Sequence, residues 1–533
     1  MQRFDPISYL SYLVKYLFDK VSNRTKMKVC KATDTTTVYL EQTYPNYDEG
    51  NRLLKTIVHP DTFAFSYWDT GPLKEIDYPK HLKEQYWLTN RNFVDSLRTY
   101  DPSTSEILFR FAYQYNALTD RAIIDLKVTR PQTTPLTGSI KYAYDNLRRL
   151  KGSKSYISGI GSINYTYDPV GNRLTKGQEG GVINYTYDKR NNHMTYAGAD
   201  YYVYDNNGNL TELHPAVEID YYFDWDYENH LTRIRKLGSG RNDSLRLTYC
   251  GLGKRIRKIH GASDTLRYCY DGMYVVCEFG NTDTLTSKYV YANGLLLARY
   301  DGNGQRYYYH HDALGSTMGL TDVNKSVVKS YFYDDFGNLW GSWGSVTNHY
   351  LYTGQEHDGD ISGAELYNLR ARSYDPKVGR FTSEDPMLQS EKIERLSTRM
   401  PRYWYISFGK CFSPMAMNAY LYVLNNAINF FDPTGLIGIS NQECPLSSPD
   451  LNERVFPYPI LPPEYPSIVC ISYLSPREDF SSWWDCFTYY ASEYKEYPKG
   501  RGPIWRYINP PHCPFYRIAW LIECIRNWRN LRM

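Results

Sequence analysis

Apolar and polar positions alternate along most of this chain with a period of two. The clearest stretches are YAYDNLRRL from Tyr142, YTYDPVGNRL from Tyr165, YTYDKRNNHM from Tyr185, YVYDNNGNL from Tyr202 and YFDWDYENHL from Tyr222. In each of them Tyr-x-Tyr, or its aromatic equivalent, places two rings on one face of a strand. The Asp that follows opens a turn through an Asx-type hydrogen bond. Gly and Asn then tolerate the positive φ that reverses the chain, as in Asp168–Asn172 and Asp205–Asn209. Leu with Thr or Arg starts the return strand, so the unit is one β-hairpin. A single hairpin cannot stand alone, but stacked copies bury a continuous face. The acidic positions Asp145, Asp168, Asp188, Asp205 and Asp226 step by 17 to 23 residues. Fainter copies carry Asp271, Asp312, Asp334 and Asp375, with a degenerate one near Tyr249. Residues 25–140 read as degenerate copies of the same unit. At residues 1–24 the apolar positions Ile7, Leu10, Leu13, Val14, Leu17, Phe18 and Val21 recur at helical spacing, which predicts a short N-terminal helical segment. The chain is therefore expected to be mainly β, a hairpin array longer than one ordinary compact domain.

Composition reinforces the sheet. There are 55 Tyr against 20 Phe and 11 Trp, and Tyr suits a half-wet pleated surface. Charge adds little: Lys+Arg 61 against Asp+Glu 58 implies no nucleic-acid or membrane partner. The ten cysteines are scattered, and Cys269 with Cys277 lacks histidine ligands, so no metal site and no cofactor is predicted. The start of the chain has no secretory signal and no apolar run reaches membrane-spanning length. The chain reads as soluble as it stands, with secretion or a surface location following if it belongs to a longer exported protein.

Five ordered blocks give the C-terminal half a more specific character. They are YYYHHDALGSTMGLTD (307–322), YFYDDFGNL (331–339), YTGQEHDG (352–359), LYNLRARSYDPKVGRFTSEDP (366–386) and NAYLYVLNNAINFFDPTGL (418–436). Together they resemble the Rhs repeat-associated core domain, which follows the YD repeats in Rhs polymorphic toxins and toxin-complex C subunits. The resemblance implies a shell or partial shell (a β-cocoon) of YD repeats over 141–306, plugged by a core over 307–436. It further implies a variable C-terminal effector over 437–533, held inside as cargo. Fewer repeats are present than the family's closed shells need, so an open part of a shell is expected. An immunity protein and a secretion apparatus are the partners that such a toxin implies.

The same resemblance implies self-cleavage after the D-P-x-G-L motif, here between Leu436 and Ile437, by two aspartates with a supporting arginine. Matched by motif these are Asp385 in GRFTSEDP, Asp432 in DPTGL and Arg372 in RARSYDP. The residue types suit the chemistry. Two close carboxylates share a proton, so one activates water while the other donates to the carbonyl oxygen. An adjacent Arg⁺ orients one of them. The plainer alternative is structural, because Asp-Pro commonly opens turns and recurs at Asp5, Asp101 and Asp375. On that reading Asp432 caps a strand end and Arg372 pairs with Asp375. Two departures bear on the site: a long insert-like stretch after Asp385, and Ala427 where the family usually has Pro. His310, His311 and Asp312 lack a motif-bound nucleophile and are assigned to structure.

From residue 437 the character changes. Thirteen of the 28 prolines fall in these 97 residues, with ten basic and ten acidic side chains and one histidine, His512. No nuclease or deaminase signature occurs there. The cysteines Cys444, Cys470, Cys486, Cys513 and Cys524 leave disulfides and reduced thiols equally open. The closing RIAWLIECIRNWRNLRM predicts an amphipathic helix packed on its own domain. Two rival readings for the whole chain are a surface protein binding carbohydrate through outward tyrosine rows, and an inactive fragment of a larger Rhs protein. Inward rings favour encapsulation and outward ladders favour adhesion.

Overall fold

The computed structural model describes residues 12–388, apart from 218, 238–242, 262–263 and 282–283, together with 415, 418–436 and 438–440. Ile437, the expected effector region beyond residue 440, its cysteines and its C-terminal helix lie outside the described residues, as do residues 1–11.

Thirty strands, from Tyr12–Phe18 to Leu339–Trp343, form one antiparallel meander in which each strand pairs with its neighbours in the chain. The Asp-centred turns build it. In the hairpin Ile163–Tyr167/Arg173–Gln178, Asp168 Oδ1 accepts the N–H groups of Val170 (3.0 Å) and Asn172 (2.8 Å). Gly171 takes φ +89°, the left-handed conformation that an L side chain resists. Asn172 Nδ2 donates both to Asp168 Oδ2 and to Asn192 Oδ1 in the next turn, each at 2.9 Å. Asn209 repeats the pattern with Asp205 and Asn229. The tyrosines lock neighbouring hairpins together. The first of each pair is buried, as at Tyr165, Tyr185, Tyr202 and Tyr268. The second donates its hydroxyl to a carbonyl of the preceding hairpin: Tyr167 to Leu150, Tyr187 to Arg173, Tyr270 to Arg255 and Tyr333 to Thr317.

Two expectations need correction. Residues 12–18 are a strand, not a helix, paired with Arg24–Lys31. The run Tyr12–Phe18 is nearly all apolar and satisfies either period; pairing decides, with Tyr12 OH donating to Tyr268 O (3.2 Å) and Tyr16 OH to Asp271 (2.8 Å). Nor does the fold change at residue 307. The strand Leu295–Asp301 pairs with Arg306–His311, and the meander runs on to Trp343 before the architecture alters.

The meander folds back on itself in layers. One cluster unites Val29, Leu40, Phe63, Tyr78 and Phe109 from the first strands with Phe279, Leu297, Tyr308 and Phe332 from the last. The strand Leu295–Asp301 is buried on both faces, Leu297 toward this cluster and Leu296 toward Tyr289, Tyr309 and Tyr350. A small four-stranded sheet (Glu356–Asp358, Leu366–Leu369, Arg372–Asp375, Arg380–Phe381) then fills the inside. Its neighbourhood packs on the repeats through Ile361, Leu366 and Val378, and through Tyr367, Tyr374 and Phe381. The large sheet wraps this core without closing: among the described residues, the first and last strands each pair on one side only.

Candidate active site

The innermost hairpin carries the arginine. Leu366–Leu369 and Arg372–Asp375 are joined by the two-residue turn Arg370–Ala371, with Arg370 at φ +63°. Alternation buries Tyr367, Leu369 and Tyr374 and directs the Arg372 guanidinium over the Phe381 ring, 3.6 Å from its centroid. There it is almost fully enclosed. Nη1 donates to Ala419 O at 2.9 Å and Nε to Gly435 O. Nη2 faces both predicted aspartates, Asp385 Oδ2 at 3.0 Å and Asp432 Oδ2 at 3.8 Å.

Asp385 follows the strand Arg380–Phe381; its N–H donates to Ala419 O (3.1 Å) and its Oδ1 accepts the Met387 N–H (2.9 Å). Of the two carboxylates its side chain is the more open, at 12% exposed against 2% for Asp432. Burial pushes the Asp385 carboxyl above its ordinary value and Asp432 adds to the effect, while Arg372 and the Met387 N–H pull it back. The Arg372 guanidinium is itself lowered by burial, which outweighs the two carboxylates.

Asp432 uses its two oxygens differently. Oδ1 accepts the N–H groups of Thr434 (3.1 Å), Gly435 (2.8 Å) and Leu436 (3.2 Å), while Oδ2 turns to Arg372. It thus caps the turn, as the plain reading holds, and also faces the arginine. Arg372 does not pair with Asp375, whose Oδ1 takes the Lys377 N–H instead. The three side chains picked by motif therefore converge, and the long stretch after Asp385 does not separate them. The chain returns at 418–436 with Ala419 beside Asp385, and Ala427 sits buried under Tyr352, whose hydroxyl donates to its carbonyl.

Motif reasoning missed Arg370, whereas Gly435 stands inside the D-P-x-G-L motif itself. Arg370 Nη1 donates to Pro433 O, and Gly435, at φ +71°, lies against Leu369 O and Arg372 N where no Cβ would fit. The nearest sequence signal was the paired arginines of LRARSYDP. His310 and His311 are buried: the His310 ring stacks on Phe109 (5.6 Å) and lies tilted against Tyr78 (5.1 Å), and its Nε2 meets Thr321 Oγ1 at 2.8 Å. Asp312 caps its own turn through the N–H groups of Leu314 and Ser316.

The family model described as Teneurin YD-shell matches residues 123–410, just over half of the chain. Among curated proteins, the tRNA3(Ser)-specific nuclease WapA of Bacillus spizizenii is 29% identical over 281 residues, 51% of this chain and 11% of that protein. Double-stranded DNA deaminase toxin A of Burkholderia cenocepacia is 25% identical over 292 residues, 47% of this chain and 19% of that protein. Among solved structures, TcdB2-TccC3-TEV superposes with a TM-score of 0.63 at 17% identity, over 82% of this chain and 23% of the other. The Photorhabdus luminescens Tc holotoxin pore gives 0.62 at 17% identity, over 84% and 23%. At these identities the structures show the fold alone, and the chain spans only about a tenth to a fifth of the curated relatives it matches.

Proposed function

Because this chain belongs to the teneurin YD-shell family, we propose that its repeats and core are a scaffold carrying residues 437–533 as a variable effector, released by self-cleavage after Leu436. The observation that carries this reading is the convergence of Asp385, Asp432 and Arg372 on the D-P-T-G-L turn. The reaction is a hydrolysis. One water is consumed: its oxygen bonds to the Leu436 carbonyl carbon, the bond to the Ile437 nitrogen breaks, and that nitrogen leaves with a proton. Asp432, already an acceptor toward three N–H groups, takes the proton from water through Oδ2. Asp385, whose carboxyl burial pushes up, donates its proton to the carbonyl oxygen to give a gem-diol; on collapse Asp432 passes the proton it took from water to the departing Ile437 nitrogen, and Asp385 recovers its own from the gem-diol hydroxyl. Arg372 holds the two carboxyls in register and steadies the charge they share.

The orientation of the repeat tyrosines supports a scaffold over an adhesin, since the Tyr-x-Tyr rings face the packed interior. The relatives named as toxins agree with an effector at the C-terminal position, for which the tail itself is the cargo and an immunity protein the natural partner. Carbohydrate binding keeps one observation of its own, an outward row of Tyr196, Tyr201 and His214 with centroid spacings of 5.0 and 6.0 Å.

Intact mass of the purified chain tests the proposal directly. A break after Leu436 is expected in wild type and absent from Asp385→Asn and Asp432→Asn. A break between Asp432 and Pro433 would instead report acid lability of that bond, and one uncut mass under all conditions would refute self-cleavage.

A further inference from the structure

The hairpin turn at Arg370 grips three successive carbonyls of the D-P-T-G-L segment. Arg370 Nη1 donates to Pro433 O, the Ala371 N–H to Thr434 O at 3.1 Å, and Arg372 Nε to Gly435 O. From the other side, Asp432 Oδ1 takes three successive N–H groups, those of Thr434, Gly435 and Leu436. The segment is thus held along both polar edges of its backbone, and the grip ends at the Leu436 N–H, immediately before the carbonyl to be cut. Space enforces the same fit: a Cβ on Gly435 would stand 2.4 Å from Leu369 O.

Arg370 is anchored independently of that segment. Its Nη1 also donates to Gln355 Oε1 (3.0 Å), its Nε to Met273 O (3.4 Å), and its own N–H to Asn368 Oδ1 (3.1 Å). One guanidinium therefore ties a repeat hairpin, the core and the D-P-T-G-L turn together. A lysine could reach one of these oxygens but could not fork between them.

We propose that Arg370 and its hairpin turn form a register clamp that selects the Leu436–Ile437 bond for cleavage, with Arg370 a positioning residue. This rests on the self-cleavage reading and adds what determines the cut site. The clamp's hydrogen bonds go to the backbone carbonyls of residues 433–435, so the bond is chosen by its distance from Asp432 and not by the side chains beside it.

The test follows the rate, the position and the pH dependence of the break in the full chain by intact mass. Arg370→Ala is expected to slow cleavage by on the order of ten- to a hundredfold at every pH, because small misplacement of a reacting bond is that costly. It should also scatter the break over neighbouring bonds without moving the pH profile, and Arg370→Lys should recover part of the rate. An Ala inserted between Leu436 and Ile437 should leave the break directly after Leu436. Wild-type rate and a single wild-type site in Arg370→Ala would overturn the clamp. If wild type is never cut, the self-cleavage reading fails by itself, and the clamp is then read by hydrogen exchange in Asp385→Asn. Slow amides at 434–436 that become fast on adding Arg370→Ala, with the repeat strands unchanged, would support it; equal exchange would overturn it.

Discussion

Arg372 sits where two buried carboxylates would otherwise face each other unshielded, and its removal separates chemistry from scaffolding. With Nη2 at 3.0 Å from Asp385 and 3.8 Å from Asp432, it is the cation that offsets their mutual repulsion. Arg372→Gln should therefore push the Asp385 carboxyl further up, and the alkaline limb of the proposed cleavage profile should move to higher pH as the rate drops. An unshifted profile would count against Arg372 as the cation of the pair. A second titration lies between the layers. His311 is pushed down to about 4 by burial, with Glu84 opposing and His310 reinforcing the shift. It is neutral in the folded chain, whereas the unfolded imidazole gains its proton below 6.5. Stability is thus fully present above 6.5 and is lost as pH falls toward 4, by roughly 3 kcal/mol. Asp335, pushed up to about 6 by burial, works in the opposite sense and loses its contribution as pH rises through that value. The informative comparison is therefore wild type against His311→Gln in chemical denaturation at pH 7 and pH 4.5. The variant should be spared most of that loss, and equal pH dependence would exclude His311 as its source.

At the scale of the hairpin, stability comes from a few repeated hydrogen bonds, each replaceable without disturbing packing. Tyr167→Phe and Tyr187→Phe keep the ring and delete the bond to Leu150 O or Arg173 O. Each should cost about 1 kcal/mol in denaturant unfolding. Asp205→Ala strips acceptors from Asn207 N, Asn209 N and Asn209 Nδ2 at once and should cost more, about 2 kcal/mol. Equal losses would mean that turn capping contributes no more than one staple. The same units explain what could be read from the chain beforehand. Asp-x-x-Gly-Asn announces its own turn because every bond it makes is local. Near Tyr249 the turn persists with Cys250 in the Asp position, held only by backbone bonds to Gly253 and Lys254, so its copy is faint. Asp271 is diverted to Arg24 across the layers at 2.5 Å. The run LLLARY loses its alternation because the strand is covered on both faces, which favours continuous apolar sequence. The motifs picked out three side chains that converge on the D-P-T-G-L turn, and nothing in their spacing foretold the shared guanidinium. Arg370 was invisible because its partner, Pro433, lies 63 residues away and its aim depends on a left-handed turn.

Across the whole molecule, pairing is local but layering is not, and this decides which part of the chain can fold without the rest. The family match begins at residue 123, which invites treating 123 onward as the self-sufficient unit. Every strand pairing after that point would survive such a cut, since each hairpin finds its partner next to it. The middle layer would not. Phe279, Leu297, Tyr308 and Phe332 are covered by Val29, Leu40, Phe63, Tyr78 and Phe109, all of which precede the cut. Each large apolar side chain left bare forfeits roughly 1.5–3 kcal/mol, so losing four is comparable to the whole margin of an ordinary domain. The ion pairs Arg24–Asp271 and Arg306–Asp61 would also lose one member each. A chain starting at residue 123 is therefore expected to aggregate or to bind a hydrophobic dye strongly, while one starting at residue 12 stays monomeric and dye-silent. If the shorter chain proved soluble, with sharp unfolding and undiminished self-cleavage, the first layer would be a cover added to a complete core. If it fails as expected, the layer is part of what holds the Arg370 turn through Met273, and the scaffold and the proposed cleavage site are one cooperative unit.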